Sequence, residues 1–185
     1  MFRNYTPKDV QTNKAKSSVE RKIREDILES YPRLQPVMDL IWPKKNANIL
    51  LGKTKNKIQL VILDEEVIFF QPDSNNPGKV WFPTLRLLHQ YPSMMPKMQV
   101  DTGAIKFVLK GADVMCPGLT HPTGGAMEDV PKDVPVQIVA ENKETACAVG
   151  LTAMSTEEIR KLNKGNGVLS MHSLGDCLWK EGKVV

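Results

Sequence analysis

The sequence predicts an α+β protein in two parts. An α+β domain spans about residues 1–94, and a partly closed barrel of mixed short strands with small helices spans about 95–185. Three observations predict this. Helical apolar spacing over residues 19–41 gives way to β-branched runs over 48–71, the order of an α+β unit. A Pro-rich junction, Tyr91-Pro92-Ser93-Met94-Met95-Pro96, follows, and its methionines mark it as short and packed. Beyond it come many short strands with only two small helices, the pattern of a partly closed barrel. The length of 185 residues suits two small domains.

Residues 1–16 are polar and without period, so they read as a mobile arm. Ser17 and Glu20 offer a capping box, and Val19, Ile23, Ile27 and Tyr31 follow at helical spacing until Pro32. Pro36 opens a short second helix with Val37, Leu40 and Ile41 inward, and Pro43 ends it. Strands are expected at Asn48–Leu51, Ile58–Leu63 and Val67–Gln71, separated by Gly52, Asn56 and Asp64-Glu65-Glu66. A Pro/Asn/Gly loop, Gln71 to Lys79, leads to a short strand Val80-Trp81-Phe82 and a short helix from Pro83 to Gln90.

In the second part Met98–Val100 reads as a strand. Asp101 or Thr102 caps a helix that Gly111 ends. Val114-Met115 extends again, and Pro117-Gly118 turns. A Gly/Pro-rich loop runs from Thr120 to Pro135, and strands follow at Val136–Ala140 and Ala146–Thr152. Ser155 and Glu158 form a second capping box, for a helix ending near Gly165. Val168–Ser173 and Cys177–Lys180 are expected to pair about Gly175-Asp176.

Composition narrows the function classes. No apolar run approaches the ~20 residues of a membrane helix, and the N-terminus lacks a secretory h-region. Cys116, Cys147 and Cys177 form no Cys-x-x-Cys pair, and His89, His121 and His172 are scattered. No structural metal or cofactor is expected. No phosphate-cradling, nucleophile-elbow or zincin motif is present, so no catalytic residues are assigned. Cys116 beside His121 reads as a small buried thiol rather than a nucleophile. The net charge of +4 is unevenly spread. Residues 1–94 carry 15 Lys and Arg against 10 Asp and Glu, and residues 95–185 carry 10 against 11. Lys44, Lys45, Lys53, Lys55 and Lys57 fall in a stretch without acids, between Asp39 and Asp64. That stretch is either a phosphate-attracting patch or a solvated lysine surface.

The most informative segment is Val100 to Gly118. Gly103, Gly111 and Gly118 permit tight turns and close backbone approach, and Lys106 and Lys110 share one helix face. The residues fit a glycine-lined cationic surface equally with a helix that packs by Ile105, Val108 and Leu109 and solvates its lysines. This segment resembles the opening of a PUA domain, the module of pseudouridine synthases and archaeosine transglycosylases. A longer block resembles the malignant-T-cell-amplified-sequence family, of the yeast translation machinery-associated type. The block includes Ile41-Trp42-Pro43-Lys44-Lys45, Val67-Ile68-Phe69-Phe70, Phe82-Pro83-Thr84-Leu85 through Pro92, and Asn163-Lys164-Gly165-Asn166-Gly167. The likeness runs from about residue 18 to 181.

The resemblance implies a cytoplasmic, non-enzymatic RNA-binding protein that pairs with density-regulated protein as a heterodimer. The pair would act on the small ribosomal subunit in translation reinitiation, non-standard initiation and post-termination ribosome recycling. It implies a C-terminal PUA domain facing the tRNA acceptor end, for which the candidate residues are Lys106, Lys110, Gly111, Ala112, Met115, Pro117 and Gly118, with Lys161 and Lys164 at the end of the second helix as the next candidates. The N-terminal domain would meet the ribosome through the lysine run and the partner through Trp81 and Phe82, aromatic residues of the kind interface cores favour. The sequence departs from the family at a longer Gln71–Lys79 loop and at Glu128-Asp129, where a lysine is usual. Residues 1–17 are assigned no role. The rivals are a PUA protein associated with RNA modification and a protein-only scaffold.

Overall fold

The computed structural model describes residues 1–44, 48–74 and 76–184. The N-terminal part is a five-stranded antiparallel sheet in sequential order: β1 (Gln11–Lys14), β2 (Ile49–Lys53), β3 (Gln59–Leu63), β4 (Glu66–Gln71) and β5 (Phe82–Pro83). Helices α1 (Ser17–Ser30), α2 (Met38–Ile41) and α3 (Leu85–Gln90) accompany it. Asp64 and Glu65, both at positive φ, make the two-residue turn between β3 and β4. Two positive-φ residues in that place are the type I′ geometry that matches strand twist.

The C-terminal part is a six-stranded sheet of β6 (Lys97–Val100), β7 (Val114–Met115), β8 (Ala126–Met127), β9 (Pro135–Ala140), β10 (Ala146–Thr152) and β11 (Asn166–Ser173). Its order is β7-β11-β10-β9-β6-β8, antiparallel except for β6 with β9. Helices α4 (Thr102–Leu109), α5 (Cys116–Leu119), α6 (Thr156–Leu162) and α7 (Cys177–Lys180) decorate it. The Ser155–Glu158 capping box forms as expected.

Every residue of β9 and β10 is buried. Strands covered on both faces read as near-continuous apolar runs, which is why these two are plain in the sequence. One side of the sheet closes on its own core with Val136, Ile138 and Ala148. The other contributes Val139, Val149 and Leu151 to the core of the N-terminal part, together with Met171 and Leu178. Gln137 closes the junction, with Nε2 donating to the carbonyls of Pro92 (2.6 Å) and Met95 (2.7 Å). The two parts therefore share an apolar core, and the barrel keeps a second of its own.

Several expectations are corrected. The N-terminal arm is docked: Phe2 and Tyr5 are buried, and β1 pairs with β2 in register Gln11↔Lys53. Phe2 sets its ring edge-on to Phe70 and His172, an anchor that only the folded chain supplies. Lys16, not Ser17, precedes α1, and no side chain caps that helix. Leu40, expected inward, is 74% exposed, because the single turn of α2 turns Met38 and Ile41 to the core instead. Pro117-Gly118 lies within the single-turn α5. Cys177–Lys180 is helix and not strand. Asp176 caps it, Oδ1 accepting from the Trp179 N–H at 3.0 Å, and so diverts the chain from a hairpin.

Candidate nucleic-acid interface

The α4 segment forms for local reasons. Asp101 caps it by accepting from the Gly103 N–H at 2.8 Å, and Ala104, Ile105 and Val108 turn toward the barrel core. Glu141 Oε2 also accepts from the Thr102 N–H (3.1 Å) and hydroxyl (2.7 Å). The Thr102 hydroxyl, then its N–H, hold the Glu141 carboxyl below its ordinary value. The N-terminal end of α4 is thus occupied by the protein's own carboxylates.

At the other end Gly111 stops the helix. Its φ is +77°, its N–H bonds Val108 O (2.9 Å), and the Ala112 N–H bonds Phe107 O (3.1 Å). This is the Schellman arrangement, which a left-handed residue completes. No heavy atom lies within 4 Å of where a Gly111 Cβ would stand, so the space beside its backbone is open to an incoming group. Gly118 differs: a Cβ there would sit 3.2 Å from Ala104 Cβ, so its smallness serves packing against α4.

Lys106, Phe107 and Lys110 occupy the outward face of this helix end. Phe107 is 54% exposed, and Lys106 Nζ lies 5.0 Å from its ring centroid. The sequence reading credited the lysines and missed this aromatic. The available signal was helical spacing: with Ala104, Ile105 and Val108 inward, position 107 turns out.

The strip continues along the chain. Ala112 is half-buried, Met115 is exposed, and Met115 stands opposite Asn166 in the β7–β11 pair. The Cys116 N–H donates to Gly165 O (2.9 Å) and its thiol to Lys164 O (3.4 Å). These bonds fix the exposed end of α6, with Lys161 and Lys164, beside Met115 and exposed Pro117. Burial pushes the Cys116 thiol upward, against the pull of the Lys164 carbonyl contact. The two acids that stand where the family has a lysine are engaged within the fold. Asp129 pairs with Arg160 at 2.6 Å, and Glu128 accepts from the Lys97 N–H at 2.9 Å.

The lysine run is divided. Lys53, Lys55 and Lys57 gather at the β2–β3 turn, while Lys44 lies before β2, at its opposite end. Lys45 lies outside the described residues. Lys44 contacts Asp39 at 3.4 Å and Lys55 contacts Asp9 at 2.8 Å, which offsets part of their charge. The partner-facing placement of Trp81 and Phe82 is corrected. They are 3% and 0% exposed, Phe82 stacks on Phe70, and the Trp81 carbonyl accepts from the Tyr31 hydroxyl at 2.8 Å. Both side chains are spent on the core of the N-terminal part, which they share with Tyr31 and Phe70.

Comparison with known proteins yields two family profiles. One is described as a Pre-PUA-like domain and matches residues 5–92. The other is described as "elF2D, PUA domain" and matches residues 95–177. Translation machinery-associated protein 20 of Eremothecium gossypii is 45% identical over 183 residues, 97% of each chain. Its namesake in Saccharomyces cerevisiae is 44% identical over 183 residues, again 97% of each. The malignant T-cell-amplified sequence 1 homolog of Dictyostelium discoideum is 46% identical over 168 residues, 90% of this chain and 89% of the relative. Among solved structures, a hypothetical protein of Pyrococcus horikoshii superposes with a TM-score of 0.72 at 18% identity, covering 93% of this chain and 99% of the other. A PUA domain of Aeropyrum pernix gives 0.69 at 22%, covering 95% and 92%. At these identities the structural likeness speaks to fold alone.

Proposed function

The chain belongs to the family of translation machinery-associated protein 20 and malignant T-cell-amplified sequence 1, and we propose that it is a non-enzymatic factor binding RNA through the α4–Gly111 surface. The relatives' names and the PUA domain support a translation-related, RNA-binding role. The finer reading is ours. The protein engages the tRNA acceptor end on the small ribosomal subunit in the cytoplasm, in initiation, reinitiation and post-termination recycling. It does so as a heterodimer with density-regulated protein.

One observation carries this reading: an exposed aromatic ring lies against the Lys106 cation, on the helix end that carries Lys110 and an open positive-φ glycine. Cations and open backbone hold phosphate, and a ring face takes an unstacked base, the combination used on single-stranded RNA ends. In a salt series, Lys106→Ala with Lys110→Ala is expected to weaken tRNA binding. Each lost phosphate contact should flatten the slope of log K against log salt by about 0.7–0.9. Both lysines are exposed, so the melt should stay within about 0.5 kcal/mol of the parent. A folded double variant with the parent's affinity and slope would refute the assignment.

For the partner, the burial of Trp81 and Phe82 moves the expected contact elsewhere on the N-terminal part. Leu40 is the most exposed large apolar residue among those described. It borders a cavity of about 270 Å³ that Ile41, Val67, Leu87 and Tyr91 also line. Leu40→Asp is expected to abolish co-elution with density-regulated protein in size-exclusion chromatography while leaving tRNA binding unchanged. Retained co-elution would move the contact off α2. Removing residues 95–185 would be a poor test, because it strips the shared core. Lys53 and Lys57 are our candidates for ribosomal RNA contact, since Lys44 and Lys55 have acidic neighbours.

A further inference from the structure

Next to the α4–Gly111 surface the fold builds a cavity of about 490 Å³, within the ~300–1,000 Å³ of pockets that take one small molecule. Its walls come from both ends of the chain. Arg3 belongs to the N-terminal arm, Lys110 and Gly111 to the end of α4, Ser170 and His172 to β11, and Lys180 to α7. Arg3 is held there by its own backbone and side chain. Its guanidinium donates to Lys110 O (3.3 Å), its carbonyl accepts from the Cys177 thiol (3.1 Å), and the preceding Phe2 is buried. Gly175 approaches so closely that a Cβ would stand 1.9 Å from Leu109 O, which locks the β11–α7 turn onto the end of α4.

We propose that this cavity receives one unstacked ribonucleotide of the bound RNA, with Arg3, Lys110 and Lys180 gripping its phosphates. The inference rests on the RNA-binding reading above and deepens it. Three cations at one cavity suit phosphodiester charge, which Arg and Lys bind by charge-assisted hydrogen bonds. The Ser170 hydroxyl, which can accept as well as donate, also lines the cavity. An acceptor beside cations fits a ribose, whose 2′-hydroxyl donates, better than it fits bare inorganic phosphate. Duplex RNA buries its base edges and cannot splay one nucleotide into a recess of this size, so the ligand is single-stranded. The N-terminal arm, which reads from the sequence as a mobile arm without a role, is then part of the RNA site.

The test uses the full chain, with a short single-stranded RNA, the DNA of the same sequence and an RNA duplex as probes. Arg3→Gln and Lys180→Gln are each expected to weaken single-stranded RNA binding about three- to tenfold and to flatten its salt slope by about 0.7. Duplex affinity should change less, and the parent should prefer the RNA to the DNA. Lys180 is exposed on α7, so its variant keeps the test intact if Arg3→Gln fails to fold. If Lys106→Ala with Lys110→Ala weakens binding while both glutamine variants match the parent, the cavity inference is overturned and the RNA reading stands. If duplex binding falls by the same factor, the cations act only through their general field and the recess is not entered. Unchanged binding in all variants removes both readings.

Discussion

Replacing Asp176 with alanine is expected to lower the unfolding free energy by about 3–5 kcal/mol, the range for removing one partner of a buried pair. Asp176 Oδ2 lies 2.8 Å from His172 Nδ1, and the two side chains are 10% and 1% exposed. An ionised carboxylate only accepts, so Nδ1 carries the proton in this pair. The same carboxylate accepts from the Ser173 N–H at 3.0 Å and caps α7. His172 in turn meets the edges of Phe2 and Phe70, so the pair supports the seam where the N-terminal arm, β4 and β11 meet. Alanine leaves a buried imidazole and two backbone donors unpaired. Urea unfolding at pH 7 measures the loss, and a change below 1 kcal/mol would show that the pair is incidental.

The pH dependence carries a definite sign. Burial pushes the Asp176 carboxyl upward, but the His172 hydrogen bond and charge and the two N–H donors outweigh it, leaving the group below its ordinary value. A carboxyl depressed in the folded state stabilises fully above its unfolded value of about 3.9 and ceases to do so as pH falls through the lower folded value. The difference between the parent and Asp176→Asn should therefore hold from pH 5 upward as far as Asp176 is concerned. It should shrink below pH 4.

Phe107→Ala should weaken single-stranded RNA binding by about 1–3 kcal/mol, the usual worth of one base stacked on an aromatic ring. That is roughly a 5- to 150-fold loss at RT ≈ 0.59 kcal/mol. No charge is removed, so the salt slope should stay at the parent's value. This contrasts with the lysine pair, whose loss flattens the slope. Phe107 is more than half exposed, so the melt should move little, and Phe107→Trp should restore binding by restoring a ring face. A full loss of slope in Phe107→Ala would mean that the ring only positions Lys106, which lies over it.

Much of the architecture was legible because it is written locally. The Ser155–Glu158 box, the Asp101 cap, the Gly111 stop and the apolar runs of β9 and β10 each need only a few neighbouring residues. The cationic end of α4 was legible for the same reason, since Lys106 and Lys110 are one turn apart. Helix and strand differ at Cys177–Lys180 because Asp176 was available both as a turn residue and as a cap, and its bond to His172 across the β11–α7 turn selected the cap. Burial was the harder question. Leu40 is as apolar as its inward neighbours, and the single turn of α2 is too short for periodicity to choose between faces; in the longer α4 the spacing turns Phe107 out, but an apolar ring reads by default as core.

What the sequence by itself determined is the order of most elements, the caps at Asp101 and Ser155, the Gly111 stop, the family, and the cationic face of α4. The tertiary structure alone decided which aromatics are core and which are surface. It took Trp81 and Phe82 inside, left Phe107 outside, and brought Arg3 to Lys110 across 107 positions of sequence. The physical reason is range. Helical period, capping and turn chemistry act within four or five residues. The burial of Phe2 against Phe70 and His172 exists only once both ends of the chain have closed on a shared core.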